Sequence, residues 1–263
     1  MPTQLMKLSK QVLKMLKAIG QVENLIIKQM VIGVRYSCIQ LKNGTTGVSF
    51  TYTNPSLDNI GFYQILKDGL LSDKPLYELI EFCSSKYGIL RTVGVTALNT
   101  FCQANIDFSS AINQDVREIL QVSEGDIIGM IGNIKPLSNY LSKKGIQMKI
   151  LDAFAPTLSS QYIIPVRNIS ELESVDHLLV SGSALVFDNF DEIIDLKSKI
   201  GGKTILVGPS AQILPEIAFE LGFSAIGSSR IINPDLTFKV IQQGGGYAIY
   251  RQYVKKYTFI NPK

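Results

Sequence analysis

The second half of the chain alternates short apolar runs with amphipathic segments. The apolar runs predict five strands, at 127–131, 148–151, 177–181, 204–207 and 225–227. The segments between them predict three helices, at 136–144, 189–199 and 214–221. Each predicted strand is followed by glycine, proline or a small polar residue. Alternating β and α segments at this spacing predict an α/β unit with a parallel sheet and helices on both faces.

The first half has a different pattern. An apolar, β-branched run at 30–41 is followed by Asn43-Gly44 and by a second such run at 48–52. Asn-Gly between two β-rich runs predicts a hairpin, because both residues tolerate a positive φ. Helical spacing predicts two helices further on, at 76–86 and 88–104.

Together, the two halves predict two domains. The length of 263 residues is sufficient for both. We place an α+β domain at residues 1–112 and a parallel-sheet domain at residues 113–263. The α+β domain is expected to begin with an amphipathic helix over 5–19, in which lysines recur every three or four residues. Those lysines form either a solvated helix face or a membrane-surface contact, and they interrupt any membrane span or signal peptide.

Composition narrows the class of protein. Hydrophobic residues make up 46% of the chain and charged residues 18%, which is typical of a compact globular protein. The net charge is +4 without a dense basic run, so neither a nucleic-acid partner nor a membrane partner is expected. An odd number of cysteines without a signal peptide indicates a cytoplasmic location. A homo-oligomer is left open.

Side chains that bind soft metals are scarce. The chain has one histidine, His177, and three dispersed cysteines, Cys38, Cys83 and Cys102. These residues cannot assemble a zinc ribbon or a redox pair. His177 precedes a predicted strand, so we expect a structural role at the amino end of the sheet. A hard cation held by carboxylates is left open, with three candidate ligands, Asp152, Asp188 and Asp191.

Ligands of parallel sheets bind outside the carboxyl ends of the strands, where the strand order reverses. The first predicted strand ends in a GxxG pattern, Gly129 to Gly132, which is compatible with a phosphate-binding turn or with a simple tight turn. Asp152 follows Gly129 by 23 residues, about where dinucleotide folds place an acid for ribose hydroxyls. A turn residue would have the same identity, so the sequence leaves both roles open.

Several segments resemble a known family. In the second half GMIGNIKPLSNYL, LLVSGSAL and ILVGPSAQILPEI resemble the DUF364 domain, described as a putative heavy-metal chelation domain. In the first half KNGTTGVSFTYTNP and GVTALNT are similar to the DUF4213 domain that precedes it. The resemblance implies an enolase N-terminal-like domain followed by a Rossmann-like domain, with a small molecule or a metal complex bound in the cleft between them.

The resemblance also implies a set of ligand-binding residues, to which the dinucleotide pattern adds Asp152. They are Thr45, Thr46, Asn99, Gly132, Asn133, Gly182, Ser183, Gly208, Pro209 and Ser210. Phe187 departs from the family pattern and is expected to change ligand specificity. Without the resemblance, β propensity explains Thr45 and Thr46, and Asn99 is either a hydrogen-bonding anchor in an apolar helix or a ligand contact.

Three functions are compatible with these residues. The first is a binding protein for a small molecule or a metal complex, with or without catalysis. The second is an enzyme in which Gly129, Gly132 and Asp152 bind a nucleotide-like cofactor. The third is a scaffold that binds a partner through its first helix. The concentration of glycine, serine and asparagine at predicted strand ends favours the first.

Overall fold

A computed structural model describes residues 24–53, 71–152, 161–187 and 189–262. The predicted amphipathic helix at 5–19 and the candidate cation ligand Asp188 lie outside the described residues.

A three-stranded antiparallel meander forms the small sheet. Its strands are β1 (Ile27–Ile32), β2 (Tyr36–Leu41) and β3 (Thr46–Phe50), in that order. The predicted hairpin at Asn43-Gly44 joins β2 to β3 and is confirmed. The single run predicted at 30–41 is wrong, because the chain turns at Gly33, whose N–H donates to Tyr36 O at 3.0 Å. A Cβ on Gly33 would lie 2.6 Å from that same oxygen, so the turn requires glycine.

In the described part of the first half, the α-helices are α1 (Tyr77–Ile80) and α2 (Gly88–Asn105). The helix predicted at 88–104 is confirmed as α2, whereas the one predicted at 76–86 is α1 followed by a 3-10 helix at Glu81–Ser84. Of the 18 residues of α2, 16 are buried, because the small sheet, the 3-10 helix and the second half of the chain surround it. The backbone at Cys83 approaches α2 where Gly94 has no side chain.

The large sheet has seven strands, in the order β10-β9-β8-β7-β4-β5-β6. They are β4 (Ile127–Ile131), β5 (Gln147–Leu151), β6 (Ile163–Val166), β7 (His177–Ser181), β8 (Thr204–Val207), β9 (Ala225–Ile231) and β10 (Val254–Ile260). All neighbours are parallel except β9 and β10. The predicted parallel sheet is therefore confirmed, with β6 and β10 added at its two edges.

The strand order reverses beside β4. After β4 the chain adds β5 and β6 on one side, and it then returns to add β7, β8 and β9 on the other. The turns that leave β4 and β7 consequently depart from adjacent strands toward different parts of the sheet. In open parallel sheets, a ligand site is expected at the carboxyl edge between two such turns.

Among the described residues of the second half, six α-helices occur. They are α3 (Val116–Leu120), α4 (Lys135–Lys143), α5 (Phe190–Lys197), α6 (Pro215–Glu220), α7 (Pro234–Gln242) and α8 (Tyr247–Tyr250). Sequence patterns predicted α4, α5 and α6 but missed the short helices α3 and α8. They also missed α7, although Asn233 caps it by accepting from Leu236 N and a proline follows at the first helical position.

One apolar core runs through both halves of the chain. It includes Ile39 of β2, Leu98 of α2, Leu178 of β7, Leu206 of β8 and Phe259 of β10, each at most 5% exposed. The two sheets are therefore parts of one packed structure. Within the described residues, no helix combines the length and the apolar character that crossing a membrane requires.

Candidate functional site

Polar and glycine residues converge at the carboxyl ends of β4, β5 and β7. We call Gly132, Asn133, Asp152, Ser181 and Ser183 the carboxyl-edge cluster. Gly132 adopts a φ of +77°, and a Cβ at that position would lie 2.9 Å from Ser181 Cβ. The hydroxyls of Ser181 and Ser183 are 2.9 Å apart. The turn after β4 thus packs directly on a pair of serine hydroxyls at the end of β7.

The carboxylate of Asp152 lies beside the start of α4. Its Oδ2 accepts the N–H of Asn133 at 2.6 Å, and Asn133 Oδ1 accepts the hydroxyl of Ser138 at 3.0 Å. Because Asn133 and Asp152 follow neighbouring parallel strands, this bond fixes the turns after β4 and β5 relative to one another. It also places a negative charge where the dinucleotide pattern would require space for a phosphate.

The N–H groups of the turn after β4 are occupied by the protein itself. Each of the four from Gly132 to Lys135 has an acceptor: Leu151 O at 2.8 Å, Asp152 Oδ2 at 2.6 Å, Met130 Sδ at 3.2 Å and Asn133 O at 3.1 Å. Phosphate-binding turns direct such N–H groups at the ligand. The turn after β4 therefore does not have the arrangement of a diphosphate site.

Gly129 does not belong to that turn. It lies within β4, where a Cβ would come within 2.8 Å of Val175 Cγ2. The interpretation of Gly129 and Gly132 as one phosphate-binding turn is thus wrong: Gly129 permits close packing on the face of the sheet, and Gly132 alone shapes the turn.

The loop after β8 continues this edge. Gly208 adopts a φ of +125°, and Pro209 follows it half-buried. Gly182, at the end of β7, packs so closely on the loop that any Cβ would overlap the backbone of Ser210 and Ala211. The predicted residues Gly182, Gly208, Pro209 and Ser210 therefore form one tightly packed pair of strand ends.

Ser210 and Asn99 bind the free edge of β3. Ser210 Oγ accepts the N–H of Phe50 at 2.8 Å. Asn99, fully buried in α2, donates through Nδ2 to Val48 O at 2.8 Å and to Ser210 O at 2.9 Å. Of the two roles that the sequence left open for Asn99, the observed contacts are those of a hydrogen-bonding anchor.

Gln212 completes this connection, which we call the β3 seam: Asn99, Ser210 and Gln212 against β3. Gln212 Oε1 accepts the N–H of Val48 at 2.8 Å, and its Nε2 donates to Ser229 O at 2.7 Å. The sequence analysis missed this residue. The available signal was a long polar side chain inside the apolar segment that follows Gly208-Pro209-Ser210.

Thr45 and Thr46 lie at the opposite end of β3 from Phe50. Thr45 N donates to Asn43 Oδ1 at 3.0 Å, and Thr46 Oγ1 donates to Gly44 O at 3.1 Å. Both bonds are internal to the hairpin turn, so these threonines stabilise the turn.

Aromatic rings fill the space between β3 and the end of β7. Phe187 stands 4.8 Å from Tyr52 and 6.2 Å from Phe50, measured between ring centroids. Arg91 of α2 donates through Nε to Val186 O at 2.7 Å, with its guanidinium 5.7 Å from the centroid of Tyr52. Phe187 is thus a half-buried ring beside the carboxyl edge.

Soft-metal ligands are not available at this edge. The three cysteines are fully buried, and burial raises the pKa of each thiol, to about 12 for Cys102. A thiol must lose its proton to bind a metal ion. Within the described residues, no three side chains of His, Cys, Asp or Glu form a group that could hold a metal ion. The donor set therefore does not fit a heavy-metal cage.

The single histidine lies at the amino edge of the large sheet, as predicted. His177 Nδ1 accepts the N–H of Lys203 at 2.9 Å, and its Nε2 is 3.4 Å from Asp126 Oδ2. Both ring nitrogens are thus engaged at the edge opposite to the cluster, which is a structural role.

The fold and its polar edge define an α/β protein with a candidate ligand site at the strand-order reversal. The chain belongs to the DUF364 family: residues 115–260 match that family, and residues 15–101 match DUF4213, both described as "Putative heavy-metal chelation".

Similar proteins occur in other organisms, and two of them have solved structures. An uncharacterized protein of Methanocaldococcus jannaschii is 29% identical over 189 residues, which cover 71% of this chain and 72% of its own. A DUF364 protein of unknown function from Pyrococcus horikoshii has a TM-score of 0.79 at 23% identity, covering 98% of this chain and 100% of its own. Another from Desulfitobacterium hafniense has a TM-score of 0.67 at 19% identity, covering 96% of this chain and 99% of its own.

Proposed function

We propose that this protein binds a small polar molecule, or a metal ion already held by such a molecule, at the carboxyl-edge cluster. The observation that carries the proposal is the convergence of Gly132, the Asp152 carboxylate and the Ser181–Ser183 hydroxyl pair at the strand-order reversal. Gly132, Asn133, Asp152 and Ser183 contact the ligand in this proposal. Asn99 and Ser210 instead hold β3 against the large sheet, and Gly182 packs on the loop that carries Ser210.

The chemistry of the cluster favours a ligand with hydroxyl groups. A carboxylate accepts hydrogen bonds, and serine hydroxyls both donate and accept them. The occupied N–H groups and the charge of Asp152 disfavour a phosphate at the turn after β4. Asp152 is therefore assigned to a ligand hydroxyl or to a hard cation.

The domain organisation is part of the same proposal. Counted within the large sheet, the order of its first six strands is 3-2-1-4-5-6, which is the Rossmann order. The two family matches, at 15–101 and 115–260, support an enolase N-terminal-like domain at 1–112 and a Rossmann-like domain at 113–263. The ligand would then lie in the cleft between them, with Phe187 and Tyr52 on its aromatic side.

A metal would reach this site as a complex. Magnesium-like cations are commonly held by one or two carboxylates together with oxygens of a substrate. Asp152 is the carboxylate of the cluster, so the bound molecule would supply most of the other donors. In this proposal the metal is held by the bound molecule and Asp152 and not by the three buried thiols.

The first experiment is native mass spectrometry with elemental analysis of the protein as purified, which identifies a retained ligand or metal. Thermal-shift measurements follow, with ribose, adenosine and citrate, each with and without Mg²⁺. A true ligand raises the melting temperature as expected for binding to the folded state alone. Asp152→Asn should abolish this shift.

Asp176→Asn is the matched control. Asp176 also accepts a backbone N–H, that of Ile127 at 2.8 Å, but at the amino edge of the same sheet. Asp176→Asn should retain the increase in melting temperature that the ligand causes. Equal loss in both variants would contradict a site at Asp152, because it would report a general effect of removing a carboxylate.

A nucleotide-dependent enzyme is the second candidate. The observation that favours it is the position of Asp152 at the end of β5, beside the turn after β4. Adenosine and AMP distinguish the candidates. A cofactor site of dinucleotide type binds AMP more tightly than adenosine, whereas the carboxyl-edge cluster gains nothing from the phosphate.

A further inference from the structure

Four of the most exposed apolar side chains of the described residues lie around α7. Val34 is 81% exposed, Ile232 is 60%, Ile249 is 53% and Leu236 is 40%. Single exposed apolar residues are ordinary on a protein surface, but a contiguous group marks an interaction site.

Three of these side chains, Leu236, Ile249 and Val34, are connected through α7 and the glycines after it. Leu236 and the half-buried Val240 are one helical turn apart on α7. The backbone at Gly245 touches Val240, and a Cβ there would lie 3.4 Å from Ile249 Cδ1. A Cβ on Gly244 would lie 3.8 Å from Val34 Cγ2. We call this surface the α7 stripe: Leu236, Val240, Ile249 and Val34.

Two opposite charges flank the stripe on α7 itself. Asp235 and Lys239 are exposed and stand one turn apart, next to Leu236 and Val240. Across the described part of the chain, neither side chain has a salt bridge or a hydrogen bond. An acid and a base in this spacing are self-complementary, because an antiparallel copy of the same helix presents the base opposite the acid.

We propose that the α7 stripe is a two-fold interface with a second copy of this chain. In an isologous dimer the same patch is used twice, so residue i contacts residue j of the partner and the reverse. Antiparallel packing of α7 on the partner's α7 brings Leu236 to the partner's Val240. It also brings Asp235 to the partner's Lys239, twice per dimer.

Helix geometry allows both contacts at once. An α-helix rises by about 1.5 Å per residue. When the two α7 helices cross near residues 237 and 238, the two residues of each contact pair are offset by about 3 Å or less along the helix axis. That offset is within the reach of a leucine on a valine and of a lysine on an aspartate. The charge pair fixes the antiparallel direction, and the apolar side chains supply the driving force.

The test uses the full chain in sedimentation velocity and light scattering over a series of micromolar concentrations. The wild-type protein should form dimers. Leu236→Asp should raise the dimer dissociation constant at least about tenfold, because it places two carboxylates in an apolar contact. Ile164→Asp is the matched control: Ile164 is 42% exposed, on β6 at the other edge of the large sheet, and its replacement should leave dimerisation unchanged.

A charge swap tests the predicted pairing. Lys239→Asp alone should weaken the dimer, because it places an aspartate opposite the partner's Asp235. Asp235→Lys alone should also weaken it, because it places a lysine opposite the partner's Lys239. The double variant Asp235→Lys with Lys239→Asp should restore the wild-type dissociation constant to within about threefold. Circular dichroism verifies that every variant is folded.

Three results would overturn the proposal. They are a wild-type protein that stays monomeric at every concentration, a dimer insensitive to Leu236→Asp, and a double swap that fails to restore the dimer. Sedimentation of the monomer with phosphatidylglycerol vesicles, lost in Leu236→Asp, would also overturn it and would assign the stripe to a lipid surface.

Discussion

Asn99 holds Ser210 across the two halves of the protein: its side-chain Nδ2 donates to Ser210 O at 2.9 Å and to Val48 O at 2.8 Å. Both acceptors are carbonyls, so the orientation of the amide is fixed. Among the described residues, Asn99 Oδ1 has no hydrogen-bond partner. The contribution of Asn99 therefore comes from its two donated bonds.

We expect Asn99→Leu to lower the free energy of unfolding by about 2 to 4 kcal/mol, because two buried carbonyls lose their donor. Asn99→Asp should lower the free energy of unfolding further, because it places a buried carboxylate against the same two carbonyl oxygens. Urea denaturation measures both. Asn105→Leu is the control: Asn105 is exposed and bonds Phe101 O of its own helix, so the change should be small. Equal effects at 99 and 105 would contradict the anchoring role.

Strand prediction succeeded where both faces of a strand are buried and failed at the edges. β4, β7 and β8 are apolar runs because helices cover both sides of the sheet. β6 contains Pro165, which argues against a strand in the sequence but is tolerated because β6 is an edge strand. The second and third residues of β10 are exposed lysines, which obscured its apolar end in the sequence.

The candidate site could be predicted only as a set of strand ends. The rule for parallel sheets selected Gly132, Asp152 and Ser183 correctly as neighbours at one edge. It could not separate the residues of the carboxyl-edge cluster from those of the β3 seam. Asn99 meets Ser210 across 111 residues, and Gln212 meets Val48 across 164, and no local pattern encodes such pairs.

Thiol accessibility provides a direct test of the chelation description. Cys38, Cys83 and Cys102 are fully buried, and burial raises the pKa of each thiol. We expect no labelling by iodoacetamide in the folded protein at pH 8, and three labels in urea, counted by mass spectrometry. Rapid labelling of the folded protein, suppressed by Zn²⁺, would instead support a thiolate metal site.

Alkaline stability should depend on the same burial. Burial raises the pKa of Cys102 from 9.0 to about 12, so the unfolded chain loses this proton at a lower pH than the folded protein does. The resulting stabilisation is complete below pH 9 and is lost as the pH rises toward 12. The Cys102 thiol should lower the free energy of unfolding by about 1.4 kcal/mol per pH unit across this window, and the buried thiols of Cys38 and Cys83 act in the same direction. Urea titrations at several pH values measure the slope.

Cys102→Ala should reduce this alkaline slope. Val93→Ala, at a fully buried and non-titrating position of the same helix, is its control. Both variants lose stability at pH 7 because each leaves a cavity. Only the cysteine variant should show a shallower decline above pH 9, and parallel curves for the two variants would rule out a contribution from Cys102.

Gly132 is the position where local backbone shape and the candidate site coincide. Its φ of +77° disfavours any side chain, and a Cβ would also lie 2.9 Å from Ser181 Cβ. Gly125 has a similar φ of +93° but open space around it. Gly125→Ala should therefore lower the free energy of unfolding by only about 1 kcal/mol, which is the cost of a positive φ for alanine. Gly132→Ala should cost at least about 1 kcal/mol more, because the serine pair must move. Gly132→Ala should also weaken the binding of any ligand that native mass spectrometry identifies. Equal ligand binding by the two variants would place the ligand elsewhere.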